Sequence, residues 1–249
     1  MKIVKIASLI MAVAFGSLSL QAQTADEIIS KHVEAIGGAD NWKKVNSLVV
    51  TGAMSIQGMS IDMVRTVLHQ KGLRQNISMM GMENYSIITP EAGWSFMPIQ
   101  QKTEVEPMAA EDLKKSQEQL DAQGEFVDYK AKGHSVELVG SETVDGNDCF
   151  KIKVTFKSGA SLVYFIDKKT YYINQTVRTI EDNELVTTFS NYQKTPEGLV
   201  FAMSSVLPLA PGMTADYTVS KIEINPTVDP SVFKPVSYTH LTLPTNREV

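Results

Sequence analysis

Period-two alternation of apolar and polar side chains dominates this chain. Leu48, Val50, Gly52, Met54 and Ile56 alternate with Val49, Thr51, Ala53 and Ser55. After Gly58 the same rhythm resumes: Met59, Ile61, Met63, Arg65 and Val67 share one face, opposite Ser60, Asp62 and Thr66. Gly72 marks the next turn, Ile77 and Met79 continue on a third strand, and 85–89 and 93–97 extend the series. Alternation punctuated by glycine turns predicts an antiparallel meander. A second set follows Asp145-Gly146, a hairpin signal. Phe150, Ile152, Val154 and Phe156 face one way, and further strands are expected at 160–167, 171–180, 185–192, 199–207 and 214–224.

Helical spacing is confined to three places. Residues 24–36 carry Asp26 and Glu27 in a first turn and Ile29, Val33 and Ile36 on one face, before Gly37-Gly38. Between the two strand sets, 108–121 reads as a polar helix with a thin stripe of Leu113 and Leu120, with Pro107 near its start. A second piece is expected at 125–132, stopping at Gly133. The pattern therefore predicts one mainly β domain of about ten or eleven strands, a sheet of a size that curls or closes. The expected architecture is an incomplete antiparallel β-barrel. Its mid-chain helices can cover the mouth, and barrels of this kind often hold a ligand.

The two ends fall outside the pattern. Lys2 and Lys5 precede an apolar run from Ile6 to about Leu20, and small Ala22 follows. This is the layout of a secretory signal, and the run is shorter than the roughly 20 residues that span a bilayer. Residues 1–23 are expected to be a signal peptide and 24–235 the domain. Residues 236–249 read as a translated adapter-like tail of non-native origin, so Tyr238 and His240 carry no functional weight.

Composition narrows the function. The chain has 23 basic and 28 acidic residues; without Lys2, Lys5, Arg247 and Glu248 the domain holds 20 and 27, a net of −7. An acidic domain lacking a basic patch is a poor partner for nucleic acid. The single cysteine, Cys149, forms no internal disulfide. His32, His69 and His134 stand in unlike contexts, no metal-ligand spacing occurs, and no nucleophile motif or phosphate-cradling loop is present. No catalytic residue, metal or cofactor is expected. Eight of twelve methionines lie between Met54 and Met108, and methionine suits both ordinary cores and adaptable apolar pockets.

One segment carries a resemblance. Thr89 to Pro98 contains a short polar turn, then Trp94, Phe96 and Pro98, with a helical stretch after it. It resembles the signature strand pair of LolA-like periplasmic carriers of outer-membrane lipoproteins. Further pieces are similar in order along nearly the whole domain: Ala25 to Ile28 closing at Gly37-Gly38, Gly140 with Asp145-Gly146, Phe165 to Thr170, Asn191-Tyr192 with Gly198, and Asp229-Pro230 with Phe233. The resemblance implies an incomplete barrel with a helical lid over a hydrophobic cavity, in a bacterial periplasmic protein. It implies acylated lipoproteins or other lipids as cargo, with an inner-membrane ABC-type releasing complex and an outer-membrane acceptor as partners, and a monomeric carrier. The same fold also implies an alternative, a lipid- or lipoprotein-sensing module. Cavity residues are expected among Met54, Ile56, Met63, Ile77, Met79, Trp94 and Phe96. The family's lid-latching arginine, in an Arg-Pro pair, has Lys71-Gly72 as its nearest counterpart. Lysine lacks the planar guanidinium fork, so Arg65 stands beside Lys71 as a lid contact, with Leu113 and Leu120 on the lid side.

Overall fold

The computed structural model describes residues 23–180, 183–210 and 212–235. The expected signal peptide and tail lie outside these residues, except for Gln23. The chain opens with α1 (Ala25–Ala35) and α2 (Ala39–Trp42). Six strands follow: β1 (Ser47–Ile56), β2 (Met59–Leu68), β3 (Gly72–Met79), β4 (Met82–Ile88), β5 (Gly93–Met97) and β6 (Lys102–Pro107). After α3 (Ala110–Ser116) come β7 (Ser135–Val144), β8 (Asn147–Thr155), β9 (Ser161–Asp167), β10 (Ile173–Ile180), β11 (Asn183–Lys194), β12 (Val200–Ala210) and β13 (Met213–Ile224).

All thirteen strands form one antiparallel sheet in the order β6-β5-β4-β3-β2-β1-β13-β12-β11-β10-β9-β8-β7. The sheet does not close, so the fold is an incomplete barrel whose free edges are β6 and β7. The expected count of ten or eleven strands is corrected to thirteen. The polar stretch 102–107 pairs with β5 despite ending in Pro107, and 135–144 pairs with β8. Both are edge strands, where proline and polar side chains are tolerated because one row of backbone groups faces water. The inserted helix is also shorter than expected: α3 gives way to a 3-10 turn at Gln117–Leu120, and 125–132 is turns. Phe126, Val127 and Tyr129 are nevertheless buried there.

Register defines two faces. Leu48, Gly52 and Met54 pair with Val67, Met63 and Ile61, and Met63 pairs on with Ile77. This inner face continues through Tyr217, Ser205, Phe189, Thr176, Tyr164 and Ile152. The main core lies on it. Ile28, Ile29 and Val33 of α1, Trp42, and Leu120 to Tyr129 of the inserted segment pack against Val67, Leu73, Ile88, Ile152, Val154, Tyr164 and Ile166. Helix α1 starts with a full capping box: Thr24 Oγ1 accepts from Glu27 N–H at 3.2 Å and Glu27 returns the bond at 2.9 Å. It stops where Gly37 runs so close to the β11–β12 turn that a Cβ would sit 2.6 Å from the Gly198 carbonyl.

The outer face has its own cluster, built by the chain after β13. Phe233 packs with Tyr85 and Ile87, and with Leu68, Trp94, Phe96 and Val232 around them. Arg74 lies over the Tyr85 ring at 4.4 Å and donates to the Val232 carbonyl at 3.0 Å. Gly72 makes room: a Cβ there would meet the Phe233 ring at 2.5 Å. Phe233→Ala is expected to cost about 3–5 kcal/mol, and Gly72→Val to displace the same ring. Urea unfolding of both variants checks this, and a loss below about 1 kcal/mol for each would mean the 226–235 segment is not bound to the sheet as described.

Candidate functional site

The inserted segment 108–134 connects one free edge of the sheet to the other across the inner face. Its first anchor is Met108, whose N–H donates to the Gly93 carbonyl at 2.8 Å. At the β2–β3 turn, Gln70 N–H donates to the Leu120 carbonyl at 2.9 Å, and Ala122 N–H donates to His69 Nδ1 at 3.2 Å. Asp121 pairs with Lys132. Arg65 comes up from the inner face of β2, its Nη2 donating to the Gln119 carbonyl at 3.4 Å. The guanidinium is surrounded by protein, which lowers its pKa, while neighbouring Tyr217 acts in the opposite sense. It remains charged in that setting. Leu120 is fully buried in the main core and Leu113 is half-buried against it. Lys71 is exposed at the same turn, and its backbone N–H donates to the Leu68 carbonyl.

Behind this segment lies a cavity of about 430 Å³. The inner face of β9–β13 forms its floor through Tyr164, Thr176, Phe189, Ser205 and Tyr217, and His32, Trp42 and Phe126 close it from above. Its walls are mostly apolar, with a few polar groups at fixed places. Tyr164 is buried and its hydroxyl faces Glu125; burial first, and then that carboxylate, push the phenol well above its ordinary pKa. Tyr217 lies across β1, where Gly52 supplies the space: a Cβ there would sit 2.7 Å from the Tyr217 hydroxyl. Thus the cavity wall and Arg65 meet over a strand position that has no side chain.

The structure divides the seven residues expected to line a cavity. Met54, Ile56, Met63, Ile77 and Met79 stand on the inner face, half-buried, in the half of the sheet beside Arg65. Trp94 and Phe96 do not share that face, and the expectation of a common surface is corrected for them. Trp94 pairs with Ile87 and Phe96 with Tyr85, which puts both in the outer cluster around Phe233. Period two shows which residues of one strand go together. It does not carry the phase across the 89–92 turn. The 430 Å³ cavity is lined by other residues, and sequence reading missed them. Alternation in β9, β12 and β13 could have grouped Leu162 with Tyr164 and Phe201 with Ser205. It could not show that α1 and Phe126 would roof them.

His32 illustrates the same point. Its side chain is 3 % exposed, Nδ1–H donates to the Tyr171 carbonyl at 2.7 Å, and the ring meets Phe126 edge-on at 5.2 Å. It is part of the cavity roof. Among the described residues no group of three or more His, Cys, Asp or Glu side chains could hold a metal ion.

A comparison with protein-family models gives no match, and neither does one with curated proteins. Solved structures do match in fold. A LolA superfamily protein from Nitrosomonas europaea aligns with a TM-score of 0.58 at 11% identity, covering 86% of this chain and 99% of its own. A DUF1329 family protein from Desulfovibrio piger gives 0.57 at 14% identity, over 85% and 98%. A domain assigned to outer membrane lipoprotein sorting in Vibrio parahaemolyticus gives 0.55 at 14% identity, over 84% and 95%. The chain therefore has the fold of LolA-like lipoprotein-sorting proteins. At these identities the likeness is one of fold.

Burial lowers the pKa of His32 despite the bond to Tyr171, and burial also lowers those of His69 and His134. A lowered folded-state pKa means the unfolded chain binds more protons just below its own value of about 6.5. Stability from these groups is complete above that pH and falls as pH drops towards the folded-state values. His32→Phe is expected to cost about 1–3 kcal/mol at neutral pH by orphaning the Tyr171 carbonyl, and to flatten the decline below pH ~6.5. Chemical denaturation across that range decides it; an unchanged slope would mean His32 is protonated in the folded protein.

Proposed function

We propose that this chain is an exported periplasmic carrier that shields the acyl chains of lipoproteins on their way from the inner towards the outer membrane. The observation that carries the reading is the cavity of about 430 Å³ between the inserted segment and the inner face of the sheet. A methylene fills on the order of the ~30 Å³ share of one liquid water, so this space suits roughly fourteen of them, about one acyl chain. At about 0.8 kcal/mol per methylene kept from water, the shielding is worth on the order of 10 kcal/mol. That is enough to hold a chain against solvent.

More chains need more surface, and the half-buried row of Met54, Ile56, Met63, Ile77 and Met79 supplies it beside the cavity. Flexible thioether side chains repack at little cost. The inserted segment then acts as a lid. Its hold combines two kinds of contact, the buried Leu120, Phe126, Val127 and Tyr129, and polar bonds to Arg65, Gln70 and His69 of the sheet and to Asp26 of α1. The polar bonds can exchange with water, so the part of the lid from Met108 to Gln119 can lift while Phe126 to Lys130 stay packed against and bonded to α1. In this arrangement Arg65 takes the latching role, and Lys71 does not.

The test is displacement of a polarity-sensitive fluorescent fatty acid, together with retention of a purified acylated lipoprotein in solution. Ser205→Phe, which fills the cavity from its floor, is expected to weaken probe binding at least about tenfold, equivalent to roughly 1.4 kcal/mol, with little loss of stability. Met63→Ala is expected to spare the probe and weaken lipoprotein retention. A protein that retains neither ligand, or a Ser205→Phe variant that binds as well as the parent, would overturn the carrier reading.

A further inference from the structure

Large apolar side chains left exposed by this fold are concentrated at one end of the sheet. Among the described residues they are Met59, Met80, Val139, Ile180, Leu209 and Met213. Val139 belongs to edge strand β7. The other five stand at the tips of four hairpins, β3–β4, β1–β2, β12–β13 and β10–β11, which are consecutive neighbours in the sheet. All four tips lie on the same end, because each joins a strand running up to one running down between adjacent pairs.

Turn chemistry does not account for these residues. The β3–β4 tip is a two-residue turn in which Met80 has φ +53 and Gly81 φ +76. The first position of such a turn favours Asn, Asp or Gly. Methionine pays a conformational penalty there and is 74% exposed. Register places Met59, Ile180 and Met213 on the inner-face side, in line with Ile61, Thr176 and Ala215 below them.

Charge is arranged just as asymmetrically. Asp62, Glu83, Glu184 and Asp216 follow the tips within a few residues, all exposed and all on the outer face by register. The nearby cation on these hairpins, Arg178, is on the inner face. Neighbouring tips are separated by two strand spacings, about 10 Å. At β3–β4, β1–β2 and β12–β13 the apolar side chains are thus separate fingers above an acidic collar, whereas Ile180 is followed in the sequence by Glu181 and Asp182. A folded partner needs a contiguous complementary patch of about 800 Å². A fluid interface accepts isolated fingers, and carboxylates beneath them suit the ammonium groups of zwitterionic lipids rather than an anionic surface.

We propose that the β3–β4, β1–β2 and β12–β13 tips seat the protein on a bilayer surface rich in zwitterionic lipid, with Met59, Met80, Leu209 and Met213 dipping into the headgroup region. The docking stands on the tips alone. Only its purpose, delivering an acyl chain from the inner face into lipid without crossing water, rests on the carrier reading.

Flotation of the exported chain with phosphatidylcholine vesicles tests it, alongside vesicles that also contain phosphatidylglycerol. Binding is expected to phosphatidylcholine, to be insensitive to added salt, and to weaken with phosphatidylglycerol. The combined variant Met59→Ser, Met80→Ser, Leu209→Ser and Met213→Ser is expected to bind about tenfold less or weaker still. Met80→Asn alone is expected to bind less while unfolding at the same or higher urea concentration, which separates docking from folding. Parent protein that ignores both vesicles, variants that bind equally well, self-association through the tips in their place, or binding that grows with phosphatidylglycerol and vanishes in salt would each overturn the proposal. The fluorescent fatty acid keeps the two readings apart: tip variants are expected to bind it normally, so loss of docking with probe binding intact indicts the rim and not the cavity.

Discussion

Burial of one face of a single sheet is the constraint on which this structure depends. Among the described residues thirteen antiparallel strands present an apolar inner surface, and no second sheet covers it. The cover comes from α1 and from the 108–134 segment, which is part short helix and part turns. A short helix and an irregular segment cannot match a curled surface as closely as another sheet would. Packing is dense where Ile28, Ile29, Trp42 and Leu120 meet the strands, and a cavity remains where His32 and Phe126 bridge over Tyr164, Phe189 and Ser205. The candidate binding space is thus a consequence of how the inner face is roofed.

The same arrangement sets which parts can move. Strand pairing joins each strand to its neighbours through backbone ladders. The inserted segment is held differently, by side-chain and backbone hydrogen bonds at the β2–β3 turn, by Arg65, by bonds from Tyr129 and Lys130 to Asp26 of α1, and by burial of Leu120, Phe126, Val127 and Tyr129. Elements with few backbone ladder bonds open at lower cost than the sheet they cover. The outer cluster around Phe233 works the other way. It clamps β3 to β6 from outside, so that this half of the sheet keeps its shape without relying on the inner cover. Trp94 and Phe96 serve that clamp.

Much of the fold was legible because antiparallel strands with one buried face announce themselves by alternation. The capping box of α1 and the Gly37-Gly38 stop are local, and so are the hairpin turns at Gly58 and Asp145-Gly146. Strands β6 and β7 were the ones missed, because an edge strand needs neither a clean apolar face nor a full set of donors, and Lys102–Pro107 therefore reads as a loop. The site was less legible. Met54, Ile56, Met63, Ile77 and Met79 share one face because unbroken register links β1 to β3. Trp94 and Phe96 look like members of the same group, and the turn at 89–92 hides their opposite phase.

Sequence by itself determined the β-rich class, the antiparallel meander, the interruption by a helical segment and the acidic character that disfavours nucleic acid. These depend on neighbours in the chain, on side-chain periodicity and on composition. Only the tertiary structure decided that the two halves join through β1 and β13, that α1 and Phe126 roof the inner face, that Gly52 makes way for Tyr217, and that four hairpin tips line up at one end. Each of those brings together residues far apart in the chain, at distances fixed by pairing across the sheet. No local pattern encodes such distances.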